Sequence, residues 1–192
     1  VYVAERHGFA RRAAGSALRR ADWITACSED LRGRAIALGA SGARARTIPY
    51  GVDVDRFRPD AGRRAAGRHA MGAAPDDLVL FAAGRFVRKK GFEYLIDAFG
   101  QLAPRWPCLR LVIAGAGDIE VELRDRARAR GVLDRTRFPG VLGQDEVAAF
   151  LAAADLAIVP SVHDDEGNVD GLPNTVMEAL ASGTPLVATT VG

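Results

Sequence analysis

The 192-residue sequence is poor in cysteine, aromatic residues and long apolar stretches. Its two cysteines, Cys27 and Cys108, lie in apolar runs far apart in the chain, which argues against a disulfide scaffold and favours a reducing compartment. No run of 18 or more apolar residues occurs, so we expect no transmembrane helix. The 21 glycines have no period of three, which excludes a collagen-like fibre. The first residues lack the basic, apolar and small-residue order of a signal peptide.

The charge balance points away from nucleic acid as a partner. Twenty-six basic and 24 acidic residues give a net charge of +2, and a hydrophobic content of 48% is typical of a globular protein. Lysine is almost absent, because all basic residues except the adjacent pair Lys89 and Lys90 are arginine. An ammonium group is a compact point charge that a guanidinium does not replace. The pair therefore indicates either a local functional need or a solvated basic face.

From residue 78 onward, apolar runs alternate with helical patterns. The runs predict strands at 78–83, 109–115, 136–139, 155–160 and 185–190, separated by helical patterns at 92–102, near 118–131, around 147–151 and at 174–182. Strands that alternate with helices over about 110 residues predict an α/β fold with a doubly wound parallel sheet.

The first 50 residues do not continue this rhythm. A basic helix over 11–20, a short strand over 22–28 and a helix capped by Ser28 precede a connector over 46–60, which is rich in Pro, Gly and Asp. We therefore expect the tail of one α/β domain joined to most of a second, with both ends cut. The expected divisions are residues 1–50 for the tail, 51–75 for a connector with an entry helix, and 76–192 for a C-terminally truncated, Rossmann-like ligand-binding domain.

The segment GRFVRKKG (84–91) is the first candidate site, since it lies between a strand and its helix. Ligands of such sheets bind beyond the carboxyl ends of the strands, where helix N-termini present N–H groups. Gly84 permits close approach of backbone to a ligand, and Arg85 and Lys90 are placed to hold a diphosphate. The segment lacks the P-loop pattern, and a solvated basic turn is the alternative.

The segment DGLPNTVMEALASG (170–183) is the second candidate site. Pro173 suits the first turn of a helix, and Glu178 lies eight positions after Asp170. A loop that folds back over its own helix can bring both carboxylates to one cleft, where a carboxylate can accept hydrogen bonds from two ribose hydroxyls. A turn Asp and an exposed helical Glu are the alternative.

Other patterns are weaker. AGAGD (114–118) contains the Gly-x-Gly of Gly115 and Gly117 but carries Glu120 where a dinucleotide fingerprint has a third glycine, so we expect a tight turn near the ligand. The Asp-x-Asp of VDVD (52–55) falls in the connector, and we expect no metal there. No Ser/His/Asp arrangement and no zinc-ligand spacing is evident.

These motifs together resemble a known family. GRFVRKKG, IAGAGD and DGLPNTVMEALASGTPLVAT, in this order and spacing, resemble the C-terminal half of the retaining GT-B glycosyltransferases of family 4. IPYGVDVDRFRP (48–59) resembles that family's domain junction, and ADWITACSEDLRGRAIALG (21–39) resembles the strand and helix that close its N-terminal domain. The resemblance covers nearly the whole chain.

The resemblance implies roles for particular residues. Arg85 and Lys90 would contact the diphosphate of a nucleotide-sugar, and Glu178 would hold the ribose hydroxyls. Asp170 stands where the family usually has Glu, so its carboxylate is one methylene shorter in its reach to the donor sugar. The loop that contains Val141 and Leu142 would lie near the base. The remaining donor-binding residues implied are Gly84, Gly115, Gly171, Leu172, Pro173 and Asn174.

The resemblance also implies a reaction. The protein would transfer a sugar from a donor such as a UDP- or GDP-sugar to a glycan or lipid-linked acceptor, with retention of configuration and without a metal or other cofactor. It would be cytoplasmic, with peripheral association at the inner face of the membrane, and the isolated piece would be inactive. A GT-B-fold epimerase or phosphorylase and a non-catalytic nucleotide-sugar-binding module are the alternatives.

Overall fold

The computed structural model describes residues 8–165 and 168–191, which divide into two compact units. The smaller unit contains residues 8–51, 163–165, 168–173 and 190–191, and the larger one contains residues 52–162 and 174–189. The helices and strands, in chain order, are α1 (Phe9–Arg20), β1 (Ile24–Ala26), α2 (Glu29–Ala37), β2 (Ala45–Thr47), α3 (Ala61–Met71), β3 (Leu78–Ala83), α4 (Phe92–Leu102), β4 (Leu109–Ala114), α5 (Glu120–Ala129), β5 (Thr136–Arg137), α6 (Gln144–Ala153), β6 (Leu156–Val159), α7 (Asn174–Ala181) and β7 (Leu186–Ala188). Short 3₁₀ turns cover Gly42–Arg44, Arg88–Lys90, Ala103–Arg105 and Leu133–Arg135.

The smaller unit is built on a parallel pair of three-residue strands. β1 and β2 pair in register from Ile24 opposite Ala45, and α2 follows β1 directly. The side chain of Ser28 accepts a hydrogen bond from the N–H of Leu31 at 3.3 Å, so the predicted N-cap is confirmed. The prediction of a connector over 46–60 is wrong for its first two residues, which belong to β2. A three-residue strand that contains Arg and Thr is too short to show a period in the sequence.

The larger unit contains a five-stranded parallel sheet. Its strand order is β5-β4-β3-β6-β7, and every neighbouring pair is parallel. The chain therefore moves outward from β3 to β5, crosses back to β6 and ends at β7, which leaves β3 at the switch point of the order. The predicted α/β fold with a doubly wound parallel sheet is confirmed.

Two separate apolar clusters cover the faces of this sheet. On one face α4 and α5 bury Phe92, Ile96, Phe99 and Leu123 against alternate residues of β3 and β4. On the other face α3, α6 and α7 pack on the remaining residues of the same strands, with Phe81 and Phe150 in edge-to-face contact. Because both faces are covered, the central strands read as continuous apolar runs rather than alternating ones.

The outer strands are shorter than the sequence predicts. β5 stops before Phe138 and Pro139, and Pro139 has no N–H to donate to a ladder. β7 covers 186–188 of the predicted 185–190. None of the helices in the described part of the chain is both long and apolar enough to cross a membrane.

Candidate functional site

Three loops of the larger unit meet in backbone contact at the carboxyl edge of its sheet. A Cβ atom at Gly115, after β4, would lie 1.9 Å from the carbonyl oxygen of Gly84, after β3. The N–H of Gly115 donates to the carbonyl of Gly140, after β5, at 2.7 Å. Gly115 has φ +141° and Gly117 has φ +158°, and a Cβ at Gly117 would lie 2.5 Å from the carbonyl oxygen of Phe86. Only glycine fits these two positions, and the result is a cradle of polar backbone at the strand ends.

The first loop of this cradle, which follows β3, contains both predicted cationic residues, Arg85 and Lys90. The N–H of Gly84 continues the sheet ladder by donating to Ala114 at 3.0 Å, so residue 85 emerges directly at the strand end. The side chain of Lys90 lies across Gly84, where a Cβ would be 3.2 Å from Lys90 Cε and 3.6 Å from its Nζ. Arg85 is exposed, and Lys90 is partly buried. The side chain of Lys90 therefore lies next to Gly84, the residue that precedes Arg85.

The same loop is fixed against the strand beside it. Gly91 has φ +66°, and a Cβ there would lie 1.9 Å from the carbonyl oxygen of Pro160, which follows β6. The N–H of Val162 donates to the carbonyl of Lys89 at 2.9 Å. Gly91 is also the residue before α4, so the positive end of that helix dipole lies next to Lys90. Gly91 is not among the predicted site residues, although its place between a basic turn and a helix is a usable signal in the sequence.

Helix α7 begins at the carboxyl end of β3. The hydroxyl of Thr175 donates to the carbonyl of Ala83 at 3.4 Å, a contact that the sequence did not suggest. Asn174 and Glu178 lie on the same side of α7, one turn apart. Glu178 is half-buried, and this burial raises the pKa of its carboxyl. Burial removes part of the water that solvates this carboxylate. Hydroxyl groups of a ligand can replace the lost hydrogen bonds by donating to its oxygens.

The loop after β5 presents one exposed and one anchored apolar residue. Val141 is 77% exposed, whereas Leu142 packs against the cluster formed by α3 and α6. The N–H of Gly143 donates to the Glu146 carboxylate at 2.7 Å, which fixes the start of α6. Val141 is thus available to a ligand, and Leu142 holds the loop.

The first four residues of the motif 170–183 belong to the smaller unit, and its helix belongs to the larger one. Asp170 is buried, and Leu172 and Pro173 are partly buried. Gly171 fits closely in its unit, because a Cβ there would lie 2.3 Å from Leu31 Cδ1 and 3.3 Å from Cys27 Sγ. The segment that carries Asp170 is therefore held by α2 and by the residue that follows β1.

The Asp-x-Asp of the connector has a structural role. Asp53 Oδ1 accepts hydrogen bonds from the N–H groups of Asp55 and Arg56, both at 3.1 Å, and its carboxylate lies 3.5 Å from the Arg56 guanidinium. Within residues 8–165 and 168–191, no group of three or more His, Cys, Asp or Glu side chains is arranged to hold a metal ion.

A doubly wound parallel sheet with glycine-lined loops and cations at its carboxyl edge is typical of nucleotide-binding α/β proteins. Residues 77–192, more than half of the chain, match the family described as Glycosyl transferases group 1. The chain belongs to this family.

Two curated relatives illustrate the match. The chain is 39% identical over 163 residues to D-inositol 3-phosphate glycosyltransferase 2 of Catenulispora acidiphila, covering 80% of this chain and 36% of that protein. It is 35% identical over 182 residues to the GDP-mannose-dependent alpha-(1-6)-phosphatidylinositol monomannoside mannosyltransferase of Mycobacterium tuberculosis, covering 91% and 46%. The chain thus spans less than half the length of these relatives.

Solved structures of related fold agree. Anabaena HepE in complex with UDP and glucose is similar with a TM-score of 0.83 and 23% identity, over 95% of this chain and 48% of that one. Sucrose-phosphate synthase from Thermosynechococcus elongatus is similar with a TM-score of 0.80 and 26% identity, over 98% and 46%. The first of these likenesses concerns the fold alone.

Proposed function

We propose that the protein is a retaining glycosyltransferase and that this chain supplies its nucleotide-sugar-binding part. The observation that carries the proposal is the cradle at the carboxyl edge of the sheet, where Gly84, Gly115 and Gly140 meet and Lys90 lies across Gly84. Membership in the glycosyl transferases group 1 family supports it. So does the name of one relative, which describes that enzyme as GDP-mannose-dependent.

Different residues of the site bind different parts of the nucleotide-sugar donor. Arg85 and Lys90 hold the diphosphate, together with the N-terminus of α4, because two cations and a helix dipole all favour negative charge. Glu178 holds the ribose hydroxyls, with Asn174 beside it, and Val141 lies against the base. The assignment of Asp170 to the donor sugar, with Gly171, Leu172 and Pro173 around it, rests on the sequence motif alone.

The chemistry follows from the position of the cations. Negative charge develops on the diphosphate as its bond to the sugar breaks, and fixed cations stabilise that charge without a metal ion or other cofactor. Since loss of one preorganised donor typically slows such a reaction by roughly 10²–10³, Arg85→Ala or Lys90→Ala in the whole enzyme is expected to lower kcat by about that factor.

The proposed acceptor is a glycan or a lipid-linked glycan. The name of one relative, a phosphatidylinositol monomannoside mannosyltransferase, supports a lipid-linked acceptor. We place the whole enzyme in the cytoplasm, with peripheral association at the inner face of the membrane.

Titration of the chain with UDP-, GDP- and ADP-sugars, each with and without EDTA, tests the proposal. We expect one base to bind best and the chelator to change its affinity less than twofold. Arg85→Ala is expected to weaken that donor at least tenfold, since a charge-assisted hydrogen bond to phosphate is lost. Arg105→Ala serves as the matched control, because Arg105 is an exposed arginine just after the other end of α4. Binding abolished by EDTA, or no binding of any nucleotide-sugar, would refute the proposal.

A further inference from the structure

Arg88 lies in the same basic segment as Arg85 and Lys90, but its side chain makes contacts of a different kind. Its Nη1 donates to Oε1 of Glu122 at 2.7 Å, and its Nη2 donates to Oε2 of the same carboxylate at 2.6 Å. Its Nη1 also donates to Oε1 of Glu93 at 3.0 Å. The guanidinium therefore forms a two-pronged pair with α5 and a single hydrogen bond to the first turn of α4.

The charge of Arg88 is compensated within this cluster. The Glu122 carboxylate, followed by that of Glu93, raises the pKa of Arg88 above its usual range, and the Arg88 guanidinium lowers the pKa of Glu122. The Glu93 side chain is 7% exposed, and its Oε2 has no hydrogen-bond partner within the described part of the chain. Because a buried carboxylate depends strongly on a partner, the Arg88 guanidinium is held at these two carboxylates, although its side chain is 51% exposed.

This cluster fixes one side of the turn that carries Lys90. Arg88 is the first residue of the 3₁₀ turn Arg88–Lys90, and its carbonyl accepts from the N–H of Gly91 at 3.0 Å. On the other side, the carbonyl of Lys89 accepts from the N–H of Val162. The turn is thus held by backbone to the segment after β6 and by one side chain to α4 and α5.

We propose that Arg88 is a positioning residue, whose bridge to Glu93 and Glu122 fixes the 3₁₀ turn so that Lys90 lies over Gly84 at the diphosphate position. This inference rests on the proposed function. Glu122 on α5 would then increase the affinity for a diphosphate by holding Arg88, although Glu122 is itself acidic.

The test compares the affinities of four variants for UDP or GDP, whichever the wild-type chain prefers, and for the matching nucleoside. We expect Arg88→Ala and Glu122→Gln to weaken the diphosphate roughly tenfold and the nucleoside less than twofold, because only the cation that meets phosphate is misplaced. Arg88→Lys is expected to behave like Arg88→Ala, since an ammonium group keeps the charge but cannot form the two-pronged pair. Asp125→Asn is the control, because it removes an exposed carboxylate that pairs with Arg128 on the same helix.

Two results would overturn the inference. Wild-type diphosphate affinity in Arg88→Lys would show that only the charge matters and not the bridge. Equal weakening of nucleoside and diphosphate would show a general structural defect. Failure of the wild-type chain to prefer the diphosphate over the nucleoside would instead refute the proposed function, and the inference with it.

Discussion

At the scale of single residues, Glu178 combines its proposed binding role with a cost to stability. Because burial raises its pKa in the folded chain, folding favours the protonated carboxyl. The favourable contribution of Glu178 to the free energy of unfolding is complete when the pH is below the pKa of its carboxyl in the unfolded chain. This contribution is lost as the pH rises through the higher pKa in the folded chain. The ionised Glu178 carboxylate, which we propose binds hydroxyl groups of the donor, thus opposes folding at neutral pH when the ligand is absent.

We therefore expect Glu178→Gln to have effects of opposite sign at pH 7. The free energy of unfolding of the ligand-free chain should rise by up to about 1 kcal/mol, since a half-buried charge is removed. Affinity for the nucleoside should fall, since the amide replaces a carboxylate that accepts from two hydroxyls. Urea denaturation at pH 7 and pH 4, together with nucleoside titration, measures both effects. A variant less stable than wild type at pH 7, or one that binds the nucleoside normally, would contradict the assignment.

Gly115 supports the cradle by having no side chain. Gly115→Ala would place a Cβ within 1.9 Å of the Gly84 carbonyl oxygen and would require φ +141° of an alanine. We expect it to lower the free energy of unfolding by roughly 3 kcal/mol or more, the sum of backbone strain and steric displacement. Gly131→Ala is the control, since Gly131 has φ +67° but no atom within 4 Å of the added Cβ. That control should cost only about 1 kcal/mol in the same urea denaturation experiment. Equal losses in both variants would argue against close contact of the loops.

At the scale of secondary-structure elements, Asp155 joins α3 to the strands β3 and β6. Its carboxylate accepts from the N–H of Val79 at 2.9 Å, from Arg64 at 2.7 Å and from Arg68 at 3.2 Å. Burial alone would raise the pKa of Asp155, but the hydrogen bonds from Val79 and Arg64 outweigh it and lower the pKa. Asp155 therefore stabilises the fold above its unfolded pKa of about 3.9, and this contribution is lost as the pH falls through the lower folded value.

Asp155→Asn is accordingly expected to lower the free energy of unfolding at pH 7 by about 1–3 kcal/mol. The difference from wild type should shrink as the pH falls below about 4, where the wild-type carboxylate is progressively protonated. Urea denaturation at pH 7, 4 and 3 measures this dependence. Asp125→Asn, which removes an exposed pair within α5, should change stability by less than about 0.5 kcal/mol. A pH-independent difference for Asp155→Asn would contradict the electrostatic account.

The sequence predicted the elements of the larger unit because their signals are long. β3 is a six-residue apolar run, and β4 is a six-residue strand that is apolar except for Arg110. Helix α4 shows an apolar stripe from Phe92 to Phe99. β2 was not predicted, because a three-residue strand is too short to show an alternation of apolar and polar residues. Short strands depend on pairing partners that are distant in sequence, so local patterns cannot reveal them.

At the scale of the whole molecule, the motifs predicted which residue types surround the cradle but not how the loops meet. The contacts of Gly115 with Gly84 and of Gly91 with Pro160 are made by backbone atoms, and a backbone contact leaves no trace in residue type except glycine itself. The role of Arg88 was hidden for another reason. Its partner Glu122 lies 34 positions away on a different helix, and neither residue stands out among the many arginines and carboxylates of the chain.

We propose that the carboxyl edge of the sheet in the larger unit holds the diphosphate of a nucleotide-sugar. The chain offers a direct test, because Lys89 and Lys90 are its only lysines. An amine-acylating reagent can therefore label just these two side chains and the N-terminal amine, and mass spectrometry of the fragments resolves them. The Lys90→Arg variant identifies the signal of Lys89.

The decisive measurement is the rate of Lys90 acylation in the free chain, with the preferred nucleotide-sugar and with the matching nucleoside, each at saturation. Contact with phosphate should slow the reaction of the Lys90 ammonium at least fivefold, since protonation is stabilised and access is blocked. The nucleoside, which lacks phosphate, should leave the rate within twofold of the free chain. Equal Lys90 labelling in the free and the donor-saturated chain would contradict the account.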